Sequence, residues 1–469
     1  MTRVVIIGGG PGGYESALVA AQLGAETVVI DSDGVGGSAV LTDCVPSKTL
    51  IATAELMTDL ATAPELGIGL VDPTAPSSQV QVDLARVNAR VLRLAAEQSA
   101  DIGRRLEREG VVVRRGRGRL IAPRPGQAAS VTVDLAAGGS ETIDADAVLI
   151  ATGAAPRTLP TAEPDGERIL TWEQVYDLTE TPERLIVVGS GVTGAEFASG
   201  YLSLGIDVVL VSSRDRVLPG EDADAAALLE GVLTRRGMTV LSKSRMASVT
   251  RDGDQVTVAL TDGRAVTGSH CLLALGSVPN TVGLGLDVAG VAVDEGGFIA
   301  VDRVSRTTAR GVYAAGDCTG VLMLASVAAM QGRIAMWHSL GDAVAPLDLK
   351  KVSSNVFTAP EIATVGWSQQ AVDAGEIVAE SVRLDLSGNP RAKMQGVRDG
   401  FVKLFCRPGT GIVVGGVVVG PRASELIHPV SLAVAESLTV DQLANAFTVY
   451  PSNSGSVAEA ARRLHHPAT

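Results

Sequence analysis

An α/β fold is predicted by three features of this 469-residue sequence. Apolar residues make up 46% of it and aromatics only 3%, so its core has to be built from Ala, Val, Leu and Ile packed between helices and strands. Two short apolar runs, Val4 to Ile7 and Leu185 to Val188, each lead straight into a glycine-rich turn and then a helical pattern. The composition, with 53 glycines, favours α/β architecture. The length exceeds what one hydrophobic core supports and suggests two to four domains.

The first run ends in Gly8-Gly9-Gly10-Pro11-Gly12-Gly13 and continues as a helix through Leu23. In this setting Gly8 allows the tight turn, Gly10 lets the backbone approach a pyrophosphate, and Gly13 lets helix and strand pack closely. A second strand, Thr27 to Ile30, ends in Asp31, about 18 residues beyond Gly13, where a carboxylate can accept ribose hydroxyl hydrogen bonds. The pattern returns at Gly189-Ser190-Gly191-Val192-Thr193-Gly194, followed by a helix from Ala195. Two Rossmann-like dinucleotide sites are therefore expected.

In the second unit the strand Val208 to Val211 ends in Ser212-Ser213-Arg214, with no carboxylate where the first unit has Asp31. No acid repels a 2′-phosphate there, and Arg214 and Arg216 stand near enough to pair with one, so NADPH should be accepted. Arg214 also reads as a solvated loop charge. One tightly held flavin nucleotide and one exchanging nicotinamide nucleotide would make a hydride relay. Val148 to Ala151 leads to Thr152-Gly153, a turn at which backbone passes close to a nucleotide. Residues 312–315 lead to Gly316-Asp317, whose carboxylate can reach a sugar or ribityl hydroxyl.

A formal net charge of −13 argues against a nucleic-acid binder. The run Arg114-Arg115-Gly116-Arg117-Gly118-Arg119 is read as a solvated strand end, with a polyanion contact as the alternative. The four cysteines, Cys44, Cys271, Cys318 and Cys406, show no metal-ligand spacing, and His465-His466 reads as part of a frayed, solvated tail; no metal site is expected. Thr2-Arg3 runs directly into the first strand without a leader, and no apolar run reaches the roughly 18 residues that span a bilayer. A soluble, cytoplasmic protein is expected.

The ordered motifs resemble those of the flavoprotein disulfide reductases, a family that includes dihydrolipoamide dehydrogenase, glutathione reductase and mercuric reductase. The likeness rests on Gly8–Gly13, Cys44-Val45-Pro46-Ser47-Lys48, Ala151-Thr152-Gly153, Gly189–Gly194 with Glu196, Gly276-Ser277-Val278-Pro279-Asn280 and Ala315-Gly316-Asp317. It continues through the stretches 356–366 and 400–404, which resemble the family's C-terminal dimerisation domain. The resemblance implies bound FAD, a nicotinamide nucleotide, NADPH or NADH, and a homodimer, or a higher assembly. It also implies an FAD-binding domain at 1–155 and 285–345, an NAD(P)-binding domain at 156–284 and an α+β dimerisation domain at 346–469. A helix over 322–337 should point its N-terminus at the flavin.

The departures from the family concern only one half of its reaction. The family's first redox cysteine falls on Ala39, leaving Cys44 without a disulfide partner, so electrons cannot leave by thiol exchange. The histidine and glutamate that the family's partner subunit supplies as acid–base fall on Tyr450 and Gly455. Lys48 and Glu196, which the resemblance places as a pair beside flavin N5 and the nicotinamide, are both present. The sequence is similar in this respect to actinobacterial lipoamide-dehydrogenase-like quinone reductases, which implies NAD(P)H:quinone reduction. Tyr450 would donate to the quinone oxygen or pack at the interface. Cys44 would tune the flavin as a thiolate or simply pack in its helix. A soluble pyridine nucleotide transhydrogenase, a non-catalytic scaffold, and peroxidase chemistry at Cys44 are the alternatives.

Overall fold

A computed structural model describes residues 2–68, 80–122 and 129–465. His466 lies outside them, while His465 is held by Asp441 through Nδ1 at 2.6 Å rather than frayed. The chain divides into two units. The first comprises 1–49, 88–157 and 276–348, and the second 50–87, 158–275 and 349–469.

The first unit is built on a seven-stranded sheet in the order Val312–Ala314, Ala147–Ile150, Arg3–Ile7, Glu26–Asp31, Val112–Ile121, Ala129–Leu135, Ser140–Ala145. The first five strands run parallel, Ala129–Leu135 returns antiparallel to them, and Ser140–Ala145 reverses direction once more. Arg3–Ile7 is apolar throughout its buried length because it feeds two cores. Val4 and Ile6 face Ala17, Leu18, Ala335 and Met336, whereas Val5 and Ile7 face Val131, Val133, Leu286 and Ile299. Helices Pro11–Gln22 and Ala325–Ser339 pack backbone to backbone, since a Cβ at Gly332 would lie 2.3 Å from the Gly12 carbonyl oxygen. The arginine-rich run is the middle of the strand Val112–Ile121, not its end. Gly116 and Gly118 turn inward while Arg117 and Arg119 stay exposed, and a Cβ at Gly118 would press on Ile7 and Ile30 at 3.2–3.3 Å.

The second unit holds a parallel five-stranded sheet in the order Thr239–Leu241, Asp207–Val211, Arg184–Val188, His270–Leu273, Ile169–Thr171. A three-stranded antiparallel meander, Met246–Asp252, Gln255–Leu260 and Ala265–Gly268, shares its core. The same unit carries an antiparallel five-stranded sheet in the order Ser353–Val356, Glu361–Gly366, Val413–Gly420, Phe401–Cys406, Glu380–Asp385. The helices His428–Ala435 and Gly455–Arg463 cover one face of it through Val430, Ala433, Val457 and Ala461. Lys403 of this sheet is buried and bonds Asp222 at 2.9 and 3.1 Å, at the start of the helix Ala223–Arg235.

Candidate active site

The two glycine turns are built alike, and the space around each glycine explains its presence. In the first unit Gly8 has φ +105 and a Cβ there would meet the Ala151 carbonyl oxygen at 2.2 Å. A Cβ at Gly13 would meet the Gly8 oxygen at 1.9 Å, while the nearest atom to one at Gly10 is 3.9 Å away. In the second unit Gly189 has φ +115 with the Ala274 oxygen at 2.1 Å, Gly194 meets the Gly189 oxygen at 1.9 Å, and Gly191 faces open space. In each turn the outer glycines close the backbone and the middle one leaves room for a ligand. The helices that follow, Pro11–Gln22 and Val192–Ser203, have no side-chain cap, so each turns an uncapped N-terminus, the end of a helix that favours an anion, towards its glycine turn.

Asp31 is buried and works on its own turn. Its Oδ2 accepts from the Gly9 N–H at 2.8 Å and its Oδ1 from the Asp33 N–H at 3.0 Å. Thr152 and Asn280 lock together, with Thr152 Oγ1 donating to the Asn280 carbonyl at 2.7 Å and Asn280 Nδ2 to the Thr152 carbonyl at 3.1 Å. Gly153 and Gly276 adopt φ +68 and +86 beside open space. Gly316, at φ +84, donates its N–H to Oε1 of the buried Gln331 at 2.8 Å. Asp317 follows with no hydrogen-bond partner for its carboxylate among the described residues. Burial first, and the Asp43 charge second, push its carboxyl up to about 6. A half-buried acceptor of this kind suits a donated sugar or ribityl hydroxyl, so the residues of the first unit fit a flavin nucleotide. The helix expected over 322–337 spans Ala325–Ser339, because Leu324 is still extended at φ −133, ψ 134.

Ala39 and Cys44 lie on different helices. Ala39 belongs to the single turn Gly37–Leu41, and Cys44 opens the longer helix Cys44–Thr62 that also carries Lys48. Pro46 is tolerated there because it sits in the first turn. None of the four cysteines is in a disulfide; Cys44 is partly exposed and the other three are buried. Glu196, on the helix Val192–Ser203, is 4% exposed, and its Oε1 accepts from the Phe357 N–H at 2.9 Å. Tyr450 is 83% exposed in the single chain, beside the equally uncovered Phe447 and Val449. Ser212 is fully buried, with its Oγ 2.7 Å from Ser190 Oγ and accepting from the Arg214 N–H at 3.1 Å. What Ser212 supplies is therefore the shape of the loop, while Arg214 itself is exposed.

Residues 2–332 match the family described as pyridine nucleotide-disulphide oxidoreductase, and residues 352–461 match the dimerisation domain of the same family. The chain belongs to this family. Its members use FAD and NAD(P)H, the two groups for which the two turns are shaped. A curated relative from Mycobacterium tuberculosis named NAD(P)H dehydrogenase (quinone) is 56% identical over 468 residues, covering 99% of this chain and 94% of the relative. A dihydrolipoyl dehydrogenase from Chlorobaculum tepidum is 34% identical over 464 residues, covering 98% and 96%. The crystal structure of LpdA from Mycobacterium tuberculosis superposes with a TM-score of 0.95 at 55% identity, over 99% of this chain and 100% of that one. The family's fold is thus retained from end to end. Asp43, Gln331 and the Lys403–Asp222 pair were not singled out from the sequence; only Asp43, directly before Cys44, had a position that could have drawn attention.

Proposed function

We propose that the chain is an FAD-dependent NAD(P)H:quinone oxidoreductase in which the electron pair reaches the quinone without a protein dithiol. The observation that carries this reading is that Ala39, Tyr450 and Gly455 stand where the family resemblance puts the dithiol and acid–base groups, while both nucleotide turns are intact. The relative at 56% identity bears the name NAD(P)H dehydrogenase (quinone), which supports the same acceptor. FAD, when bound, supplies a centre that accepts a hydride and gives up an electron pair. The net reaction is NAD(P)H plus a proton plus quinone giving NAD(P)⁺ plus hydroquinone.

The residues divide the work. Gly8, Gly10 and Gly13, with Thr152, Gly153, Gly316 and Asp317, hold the flavin nucleotide, and Asp31 keeps its turn closed. Gly189, Gly191 and Gly194 hold the nicotinamide nucleotide, with Ser212 shaping the loop that presents Arg214 and with Gly276 lining the approach. By the family resemblance, Lys48 and Glu196 are the residues that serve hydride transfer between the two nucleotides. Cys44 tunes the flavin but exchanges with no substrate. Tyr450, uncovered in one chain, enters the site of a second copy in a homodimer and donates to the quinone oxygen. The domains run 1–155 with 285–345 for FAD, 156–284 for NAD(P) and 346–469 for dimerisation. No helix of the described residues is long and apolar enough to cross a membrane, and the enzyme acts in the cytoplasm on a quinone that reaches it.

Oxidation of NADH and NADPH by the purified protein, followed in turn with a quinone, a thio-nicotinamide nucleotide, lipoamide and peroxide, tests the proposal. Turnover with the quinone alone is expected. Turnover only with the thio-nicotinamide nucleotide would make the protein a transhydrogenase, and inactivity with all four would leave a scaffold.

A further inference from the structure

We infer that Lys243 is a specificity residue for the 2′-phosphate of NADPH, acting with Arg214 at the rim of the second glycine turn. The inference rests on the nicotinamide-nucleotide role of Gly189–Gly194 and does not depend on the acceptor being a quinone.

The loop after the strand Asp207–Val211 is tied down at both ends. Leu218 N–H donates to the Ser190 carbonyl at 2.9 Å, and Ser190 Oγ meets Ser212 Oγ at 2.7 Å. The loop 212–218 is therefore fastened at both ends to a residue of the glycine turn. In this fold the adenosine ribose lies between such a turn and the end of the second strand, so the loop borders the ribose 2′ position.

The next strand, Thr239–Leu241, brings a second segment to the same place. Ser244 N–H donates to the Ser212 carbonyl at 2.7 Å, and Lys243 N–H donates to the Arg214 carbonyl at 2.6 Å. Lys243 takes φ +52, a left-handed conformation that a lysine gains nothing from adopting. The buried Ser244 fixes the segment from beneath, with its Oγ receiving Arg264 at 2.7 Å. The backbone of Lys243 is thereby held against that of Arg214, with both side chains exposed.

The local charge is unbalanced. Arg214, Arg216 and Lys243 make no ion pair within 4.0 Å among the described residues, and Asp215 is the one carboxylate within the loop. The neighbouring acids are engaged elsewhere: Glu230 accepts from the Val217 N–H at 3.0 Å, and Asp262 pairs with Arg264 at 2.6 Å. Cations left unpaired beside a nucleotide turn, where a carboxylate would have accepted ribose hydroxyls, suit a dianionic phosphate.

The test uses the FAD-loaded full chain and titrates it calorimetrically with 2′,5′-ADP and with 5′-AMP. The wild type should bind 2′,5′-ADP the more tightly, by about tenfold or more for two charge-assisted contacts. Lys243→Asn removes the charge but keeps a residue that tolerates a left-handed backbone. It should weaken 2′,5′-ADP about fivefold, the scale of one solvent-exposed charge contact, and leave 5′-AMP unchanged. Lys243→Arg should restore the difference, which a merely structural lysine would not require. In turnover, Lys243→Asn should raise KM for NADPH with kcat and the NADH constants unaltered. Lys243→Gly, which suits the backbone still better, gives the same comparison should the asparagine variant fold poorly. Equal binding of the two ligands by the wild type, or a ratio that Lys243→Asn leaves intact while Arg214→Ala lowers it, would overturn the inference. A protein that binds 2′,5′-ADP as expected yet reduces no quinone would keep this inference and refute the proposed acceptor.

Discussion

Gly191 and Gly194 stand three residues apart in one turn, yet substitutions at them should fail in different ways. Gly194→Ala puts a methyl group 1.9 Å from the Gly189 oxygen, so the turn has to open, at a cost of at least about 3 kcal/mol. Gly191 has φ −72 and open space around its missing side chain, so Gly191→Ala should fold with an unchanged melting temperature. It should instead raise KM for NAD(P)H, because the added methyl occupies the ligand's path. Thermal melts set beside steady-state kinetics separate the two. Asp317 offers a test of the flavin-free chain. Its carboxyl is raised to about 6 by burial and by Asp43, so the folded state holds a proton that the unfolded state releases. The associated stability is present below pH about 4 and is lost as the pH climbs through about 6. Asp317→Asn should abolish that loss, melting like the wild type near pH 4 and higher, by about 2–3 kcal/mol in stability, at pH 7. Melts of the flavin-free proteins across that range check the sign, and a pH-independent difference would contradict it.

The elements themselves were legible where pattern and period agree. Val4 to Ile7 and Leu185 to Val188 are strands within a residue of their expected limits because an apolar run ending in glycine leaves few alternatives. The helix near 322 starts later because Leu322-Met323-Leu324 is apolar enough to pass for helix on composition, while the Leu324 N–H turns back to the Leu322 carbonyl at 2.9 Å and Leu324 itself is extended. The arginine run was misplaced for the opposite reason: its charges suggested an end, but its glycines face the core between them. Long-range polar pairs leave no local trace, and Lys403–Asp222 is the clearest case. Both side chains are at most 5% exposed, and Asp222 also caps the helix Ala223–Arg235 through the Asp224 and Ala225 N–H groups. Lys403→Met should destabilise the protein by about 3–5 kcal/mol by stranding a buried carboxylate. Adding Asp222→Asn, which keeps a capping side chain, should recover most of that loss in thermal denaturation. Additive losses in the double variant would mean that the two groups do not act as a pair.

At the scale of the whole molecule, the chain keeps the family's architecture, while the proposed function dispenses with its exchange chemistry. Family membership, the two nucleotide turns and the dimerisation domain could be read from motif order, since each motif has a backbone reason to exist. The acceptor could be approached only through what is missing at Ala39, Tyr450 and Gly455, and Lys243 emerged only when the fold brought residue 243 to residue 214. The central claim is that electrons pass to the acceptor with no protein thiol in the path. Quinone-dependent NAD(P)H oxidation by Cys44→Ser, measured against the wild type with lipoamide as a parallel acceptor, tests it most directly. The variant should retain quinone turnover within about threefold, as expected for a group that tunes rather than carries the reaction, and neither protein should reduce lipoamide. Loss of quinone turnover in Cys44→Ser, or lipoamide reduction by the wild type, would contradict it.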